Sequence, residues 1–123
     1  MKLKDDFFQI KQFCKTEKGG DFTIAFNPEH FIYQAHFPNN PTTPGVCIIQ
    51  IIKELLNEIV QDDLFLKKVN NVKFLNVINP LENNEVICSL SVFSSKEDNS
   101  YKIDASVRNE NSQFAKLSLL FLS

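Results

Sequence analysis

One segment of the 123-residue chain sets a histidine among prolines and a glycine: His36-Phe37-Pro38-Asn39-Asn40-Pro41-Thr42-Thr43-Pro44-Gly45-Val46. An imidazole titrates near neutral pH, which suits it to take a proton from carbon. Pro38, Pro41 and Pro44 stiffen the loop that carries His36, and Thr43-Pro44 reads as a helix start with Thr43 as N-cap and Pro44 in the first helical position. The amides of Gly45 and Val46 then fall in the first turn, where N–H groups lack an internal partner, and Gly45 leaves room for a ligand oxygen. Negative charge developing on a carbonyl bound there would be stabilised by those amides and by the helix dipole. Further along the helix, Gln50 and Glu54 stand one turn apart. Glu54, with Lys53, Asn57 and Glu58 beside it, also has the reading of a solvated residue on the polar face.

Other candidates carry less chemistry. Phe31, Tyr33 and Phe37 could line an apolar tunnel or belong to the core. His30 has no Cys or acid spaced with it for a metal, so a surface or structural role is expected. Cys47 falls in the first helical turn among apolar neighbours and reads as a buried thiol. Cys14, Cys47 and Cys88 are odd in number and widely spaced, which argues against disulfides and zinc and for reduced, mostly buried thiols. With no phosphate loop, nucleophile elbow or HExxH motif, neither a metal nor a cofactor is expected.

Composition narrows the field. A net charge of -2 with a single Arg, Arg108, gives no basic field for nucleic acid, although Lys67, Lys68 and Lys73 could meet an acidic partner or simply be solvated. No apolar stretch approaches the roughly 20 residues of a membrane span, and Met1 to Ile10 does not read as a signal peptide, so a cytoplasmic protein is expected. Twelve Phe and no Trp imply a large apolar surface that a second copy would cover.

The elements that must position these groups can be read from periodicity. Phe7 to Lys15 and Asp21 to Asn27 read as a first hairpin, with Gly19-Gly20 as its turn. Residues 28–44 hold four of the five prolines and read as an ordered loop. A helix from Pro44 to about Gln61 confines its polar residues to one stripe (Gln50, Lys53, Glu54, Asn57, Glu58, Gln61), so it is expected to be buried on most sides. Strands follow at Phe65 to Val77, Glu85 to Ser94, Tyr101 to Asn109 and Phe114 to Leu122, with turns at Glu97-Asp98-Asn99 and Asn109-Glu110-Asn111. The expectation is one α+β domain over 1–123, an antiparallel sheet wrapped around a long central helix.

The run His36-Phe37-Pro38-x-x-Pro41-x-x-Pro44-Gly45-Val46 before an apolar helix resembles the signature of the hot-dog fold 3-hydroxyacyl-[acyl-carrier-protein] dehydratases. Val72-Lys73-Phe74-Leu75-Asn76-Val77-Ile78-Asn79-Pro80 is similar to that family's strand after the helix, which ends in a proline turn. The resemblance implies a hot-dog fold and an acyl-thioester pocket in which His36 is catalytic. Pro44, Gly45, Val46, Phe37, Phe31 and Tyr33 would contact the substrate, carried on acyl carrier protein or coenzyme A in fatty-acid or related lipid or polyketide synthesis. It also implies a homodimer or higher homo-oligomer, with a heterodimer as the variant.

At one position the chain departs from that pattern: Gln50 stands where the dehydratases carry their catalytic Glu or Asp. An amide has no proton to exchange near neutral pH and cannot act as a general acid. Glu54 is the alternative acid, and two further readings stay open: a hot-dog acyl thioesterase, in which Gln50 or Glu54 orients a water, and a non-catalytic acyl-binding subunit.

Overall fold

The computed structural model describes residues 1–123. Its elements run β1 (Phe8–Lys15), β2 (Gly19–Phe26), α1 (Phe31–Ala35), α2 (Gly45–Val60), β3 (Phe65–Phe74), β4 (Glu85–Ser95), β5 (Ser100–Arg108) and β6 (Gln113–Leu122). All six strands form one antiparallel sheet in the order β1-β2-β4-β5-β6-β3. Alternate residues on β2, β4, β5 and β6 are buried, among them Ile24, Val86, Ile103 and Leu119. They share one apolar cluster with Ile48, Ile51, Ile52, Leu55 and Leu56 of α2. The period of two in the strands and the single polar stripe of the helix therefore bury their apolar faces against each other. This is the α+β, sheet-over-helix architecture that the resemblance implies. No helix is long and apolar enough to cross a membrane.

Several boundaries differ from the sequence expectation, each for a visible reason. Gly19 and Gly20 lie inside β2, and the turn is made by Thr16 to Lys18. A Cβ on Gly19 would sit 2.1 Å from the Leu90 carbonyl oxygen, and one on Gly20 would sit 2.1 Å from the Phe13 ring. These glycines serve close packing of β1, β2 and β4. Pro44, not Thr43, is the N-cap of α2, and no side chain caps that end. The Thr43 side chain is instead buried, its hydroxyl 2.8 Å from Tyr33 Oη. Residues 31–35 form a short helix inside the proline-rich segment. β3 stops at Phe74 because Leu75 N and Asn76 N both reach the Phe114 carbonyl while Asn76 Nδ2 takes the Gln113 carbonyl, which turns the chain out of the ladder.

α2 is less enclosed than its composition suggests. It packs on β2 and β4, and Val46 stays 66% exposed while Ile49, Ile59 and Val60 are half-buried. Cys14 is also exposed, in contrast to the buried Cys47 and Cys88.

The buried thiols give this core a signed dependence on alkali. Burial pushes the Cys88 thiol up to about 12 from an ordinary 9.0, and burial also raises Cys47. Above about pH 9 the unfolded chain releases protons that the folded chain keeps, so stability is full below pH 9 and falls as pH rises toward 12. Under reducing conditions the urea midpoint is expected to fall between pH 8 and pH 10.5. The fall should be shallower in Cys88→Ala than in the unsubstituted chain, and equal slopes would contradict the assignment.

Candidate active site

The segment between β2 and α2 is held at several points. His30 caps α1: its Nδ1 accepts from Ile32 N at 3.1 Å, which leaves Nε2, 3.1 Å from Asp6 Oδ2, as the donor. His30 is 6% exposed, with its ring edge-on to Phe7 and stacked on Phe31, so its role is structural. Tyr33 is buried, stacks on Phe7 at 5.0 Å and meets Thr43 through its hydroxyl. Burial raises the pKa of that phenol, which stays a neutral hydrogen-bonding group. Thr43 N in turn donates to the Ile78 carbonyl at 2.9 Å, joining the loop to the chain that follows β3.

His36 occupies the C-cap of α1. Its N–H donates to the Ile32 carbonyl at 3.0 Å, and its own carbonyl accepts from Thr42 N at 2.6 Å. Phe37 and Asn40 exchange hydrogen bonds of 3.2 and 3.0 Å, which closes the Phe37 to Asn40 turn, and the His36–Phe37 peptide is cis. The backbone of His36 is thus fixed on both sides while its imidazole is exposed.

Beside it α2 begins. The Pro44 carbonyl accepts from Cys47 N and Ile48 N at 3.0 and 3.2 Å, so the amides of Gly45 and Val46 precede the internal ladder of the helix. Phe74 lies over this turn, and a Cβ on Gly45 would sit 2.6 Å from its ring. Gly45 is therefore required by Phe74 as much as by any ligand. A cavity of about 400 Å³ opens here, lined by His36, Phe37, Pro44, Gly45, Phe74 and Ile78 among others.

Of the residues singled out from sequence, His36, Phe37, Pro44 and Gly45 share this cavity. Val46 is exposed on the adjoining turn, Tyr33 supports the floor through Thr43, and Phe31 is 71% exposed on His30, outside the cavity lining. Phe74 to Ile78 and Ile48 complete the lining. The strand-to-proline stretch 72–80 was the sequence signal for that part, although nothing in it marks Phe74 as the residue over Gly45.

Gln50 and Glu54 belong elsewhere in the chain. They line a separate open groove of about 520 Å³, together with Met1, Lys2, Lys4, Lys53 and Phe65. Glu54 accepts from Leu3 N at 2.8 Å and Lys4 N at 2.7 Å, and Gln50 Nε2 donates to Glu54 and to the Met1 carbonyl. Lys4 also pairs with Glu58. The polar stripe of α2 is thus occupied in holding the N-terminal segment, whose Leu3 and Phe7 are buried. A carboxylate chelating successive backbone amides has no sequence signature.

The single antiparallel sheet packed on one long helix defines a hot-dog fold, and comparison with known proteins agrees with that fold. Residues 12–116 match the ApeI-like family, described as ApeI dehydratase, and the chain belongs to that family. No curated protein matches it in sequence. Among solved structures it is similar to a chain of the dehydratase heterocomplex ApeI:P from Xenorhabdus doucetiae, with a TM-score of 0.68 at 12% identity over 93% of this chain and 96% of that one. An uncharacterised protein from Erwinia carotovora subsp. atroseptica aligns with a TM-score of 0.62 at 16% identity over 89% of each chain. A conserved protein from Pseudomonas aeruginosa aligns with a TM-score of 0.58 at 11% identity, covering 83% and 78%.

The hydrogen bonds of Glu54 predict the outcome of removing them. Glu54→Ala should cost about 1–3 kcal/mol of stability and speed amide hydrogen exchange at Leu3 and Lys4. Unchanged protection of those two amides would contradict an anchoring role.

Proposed function

We propose that the chain is a dehydratase-type subunit acting on 3-hydroxyacyl thioesters, carried on acyl carrier protein or coenzyme A, with His36 as the base. The observation that carries this is the exposed imidazole of His36 at the mouth of a cavity that also contains the first turn of α2. The thioester carbonyl accepts from the amides of Gly45 and Val46, which favour the enolate as the C2–H bond breaks toward His36. The C3–O bond then breaks and the double bond forms between C2 and C3. The departing hydroxyl leaves as water on receiving a proton. Phe37, Pro44 and Phe74 give the acyl chain its apolar walls.

Gln50 cannot deliver that proton, and Glu54 is bonded to the N-terminal segment, so the acid is expected from a second chain. Strand β3 suggests how a second chain reaches the site. Its Phe65 lines the Gln50 groove and its Phe74 lines the His36 cavity, roughly 30 Å apart along ten residues. An antiparallel neighbour on β3 therefore brings its own residue-50 position to this chain's His36. The relative from Xenorhabdus is part of a dehydratase heterocomplex, which fits such an arrangement.

A second reading, an acyl-binding subunit without turnover of its own, is favoured by the same amide at Gln50. Assays with 3-hydroxyacyl and saturated acyl carrier-protein thioesters separate the two readings from a thioesterase: enoyl product, no product, or free thiol. In the dehydratase reading His36→Ala should lower turnover by about 10²–10⁴-fold without unfolding the chain. Where the chain pairs with a second copy of itself, Gln50→Glu should raise dehydration by a comparable factor, and Glu54→Gln should leave it unchanged. Loss of activity in Glu54→Gln with an unaltered fold would make Glu54 the acid.

A further inference from the structure

We infer that His30 is a positioning residue for His36 and an acid-sensitive latch: a proton on His30 Nδ1 competes with the Ile32 amide and, when it wins, frees the backbone of His36. The inference rests on the role proposed for His36 as the base. Ile32 links the two histidines. Its N–H donates to His30 Nδ1 at 3.1 Å, and its carbonyl accepts from His36 N at 3.0 Å. α1 is only five residues long, with His30 as its N-cap and His36 as its C-cap. A helix this short has no stability of its own and depends on its end contacts. Loss of the bond at Ile32 N therefore loosens the turn whose carbonyl holds His36.

The Nδ1 lone pair can take the Ile32 N–H or a proton, not both. Asp6 Oδ2, 3.1 Å from Nε2, keeps the proton of the neutral ring on Nε2 and leaves Nδ1 as the acceptor. Protonation makes both nitrogens donors, and Nδ1–H then faces Ile32 N–H. The His30 side chain is 4% exposed, edge-on to Phe7 and stacked on Phe31, so Nδ1–H gains an acceptor only when the cap opens. Asp6 attracts the cation, but its side chain is 72% exposed and the attraction is screened by solvent. Asp5 and Glu29, the other carboxylates nearby in the chain, are exposed and form no ion pair with His30. Tyr33, stacked on Phe7, carries a phenol raised by burial, which stays neutral in acid. A Ser, Thr or Asn cap would hold Ile32 N at any pH near neutrality, whereas a histidine cap answers to acid. Acid thus acts twice on this site, protonating the base and releasing the turn that carries it.

The test compares the unsubstituted chain with His30→Asn, whose side-chain oxygen can cap the same amide without titrating, and with His30→Ala, which removes the cap. Hydrogen exchange at the Ile32 and His36 amides is followed by NMR between about pH 7.5 and pH 5.5, each rate divided by that of an unstructured peptide at the same pH. On acidification, protection at both amides of the unsubstituted chain should fall together by about 5-fold, the size of one N-cap bond. It should hold constant in His30→Asn and be low throughout in His30→Ala. Dehydration of a 3-hydroxyacyl thioester should decline in acid more steeply than a single protonation allows in the unsubstituted chain, and as a single protonation in His30→Asn. Protection that ignores pH in the unsubstituted chain, or that falls equally in His30→Asn, would overturn the latch. Acid limbs of equal steepness in two active proteins would overturn it as well. If no thioester is turned over by any of the three proteins, His36 is not the base, and the exchange result alone decides whether His30 holds its backbone.

Discussion

The hydrogen bond from Thr43 N to the Ile78 carbonyl joins the two segments between which the His36 cavity opens. On one side it fixes the residue just before α2, and on the other the stretch that has left β3 at Phe74. Tyr33 braces the same residue from beneath through the Thr43 hydroxyl, and Phe7 stacks on Tyr33. The polar chemistry of the loop is therefore anchored to the apolar core through one buried threonine. The three prolines limit what the loop can do, but these contacts decide where it lies. His36 needs no packing of its own, because both of its backbone partners belong to this braced unit.

How much of this was legible in the sequence depended on the range of the forces involved. Local periodicity located all six strands and α2 to within a few residues, because alternation on the strands and the single polar stripe of α2 are burial patterns written residue by residue. Errors arose where a distant neighbour overrode a local signal. Gly19-Gly20 has the composition of a turn, yet the Leu90 carbonyl and the Phe13 ring are what require glycine there. Thr43 has the chemistry of an N-cap, yet Tyr33 claims its hydroxyl. The His36, Phe37, Pro44 and Gly45 cluster was readable because its members are close in sequence. Phe74 over Gly45 and the N-terminal segment on Glu54 are long-range contacts without a local trace.

The two grooves lie along α2, one at its N-terminal turn and the other beside its polar stripe. The separation explains why Gln50 and Glu54, suggestive when read beside His36 in sequence, do not join it within one chain. A helix that packs on β2 and β4 through one side must present its opposite residues elsewhere, and the N-terminal segment covers part of them. The exposed half of the twelve Phe side chains, among them Phe37, Phe65 and Phe74, marks surfaces that folding of one chain leaves open.

An antiparallel pair of unlike chains on β3 has a consequence that a symmetric pair lacks. On the pairing proposed for β3, two identical chains would create two equal cavities, each with His36 from one copy and Gln50 from the other, and each would lack an acid. With an unlike chain the two cavities differ. The one built on this chain's His36 receives whatever the partner carries at the position of Gln50, while the one opposite receives Gln50 itself. If the partner carries a carboxyl there, a single complete site results, and the amide at Gln50 costs activity only in the cavity where the partner supplies the base. On the pairing proposed for β3, the amide at Gln50 is tolerable wherever the neighbouring chain supplies the acid.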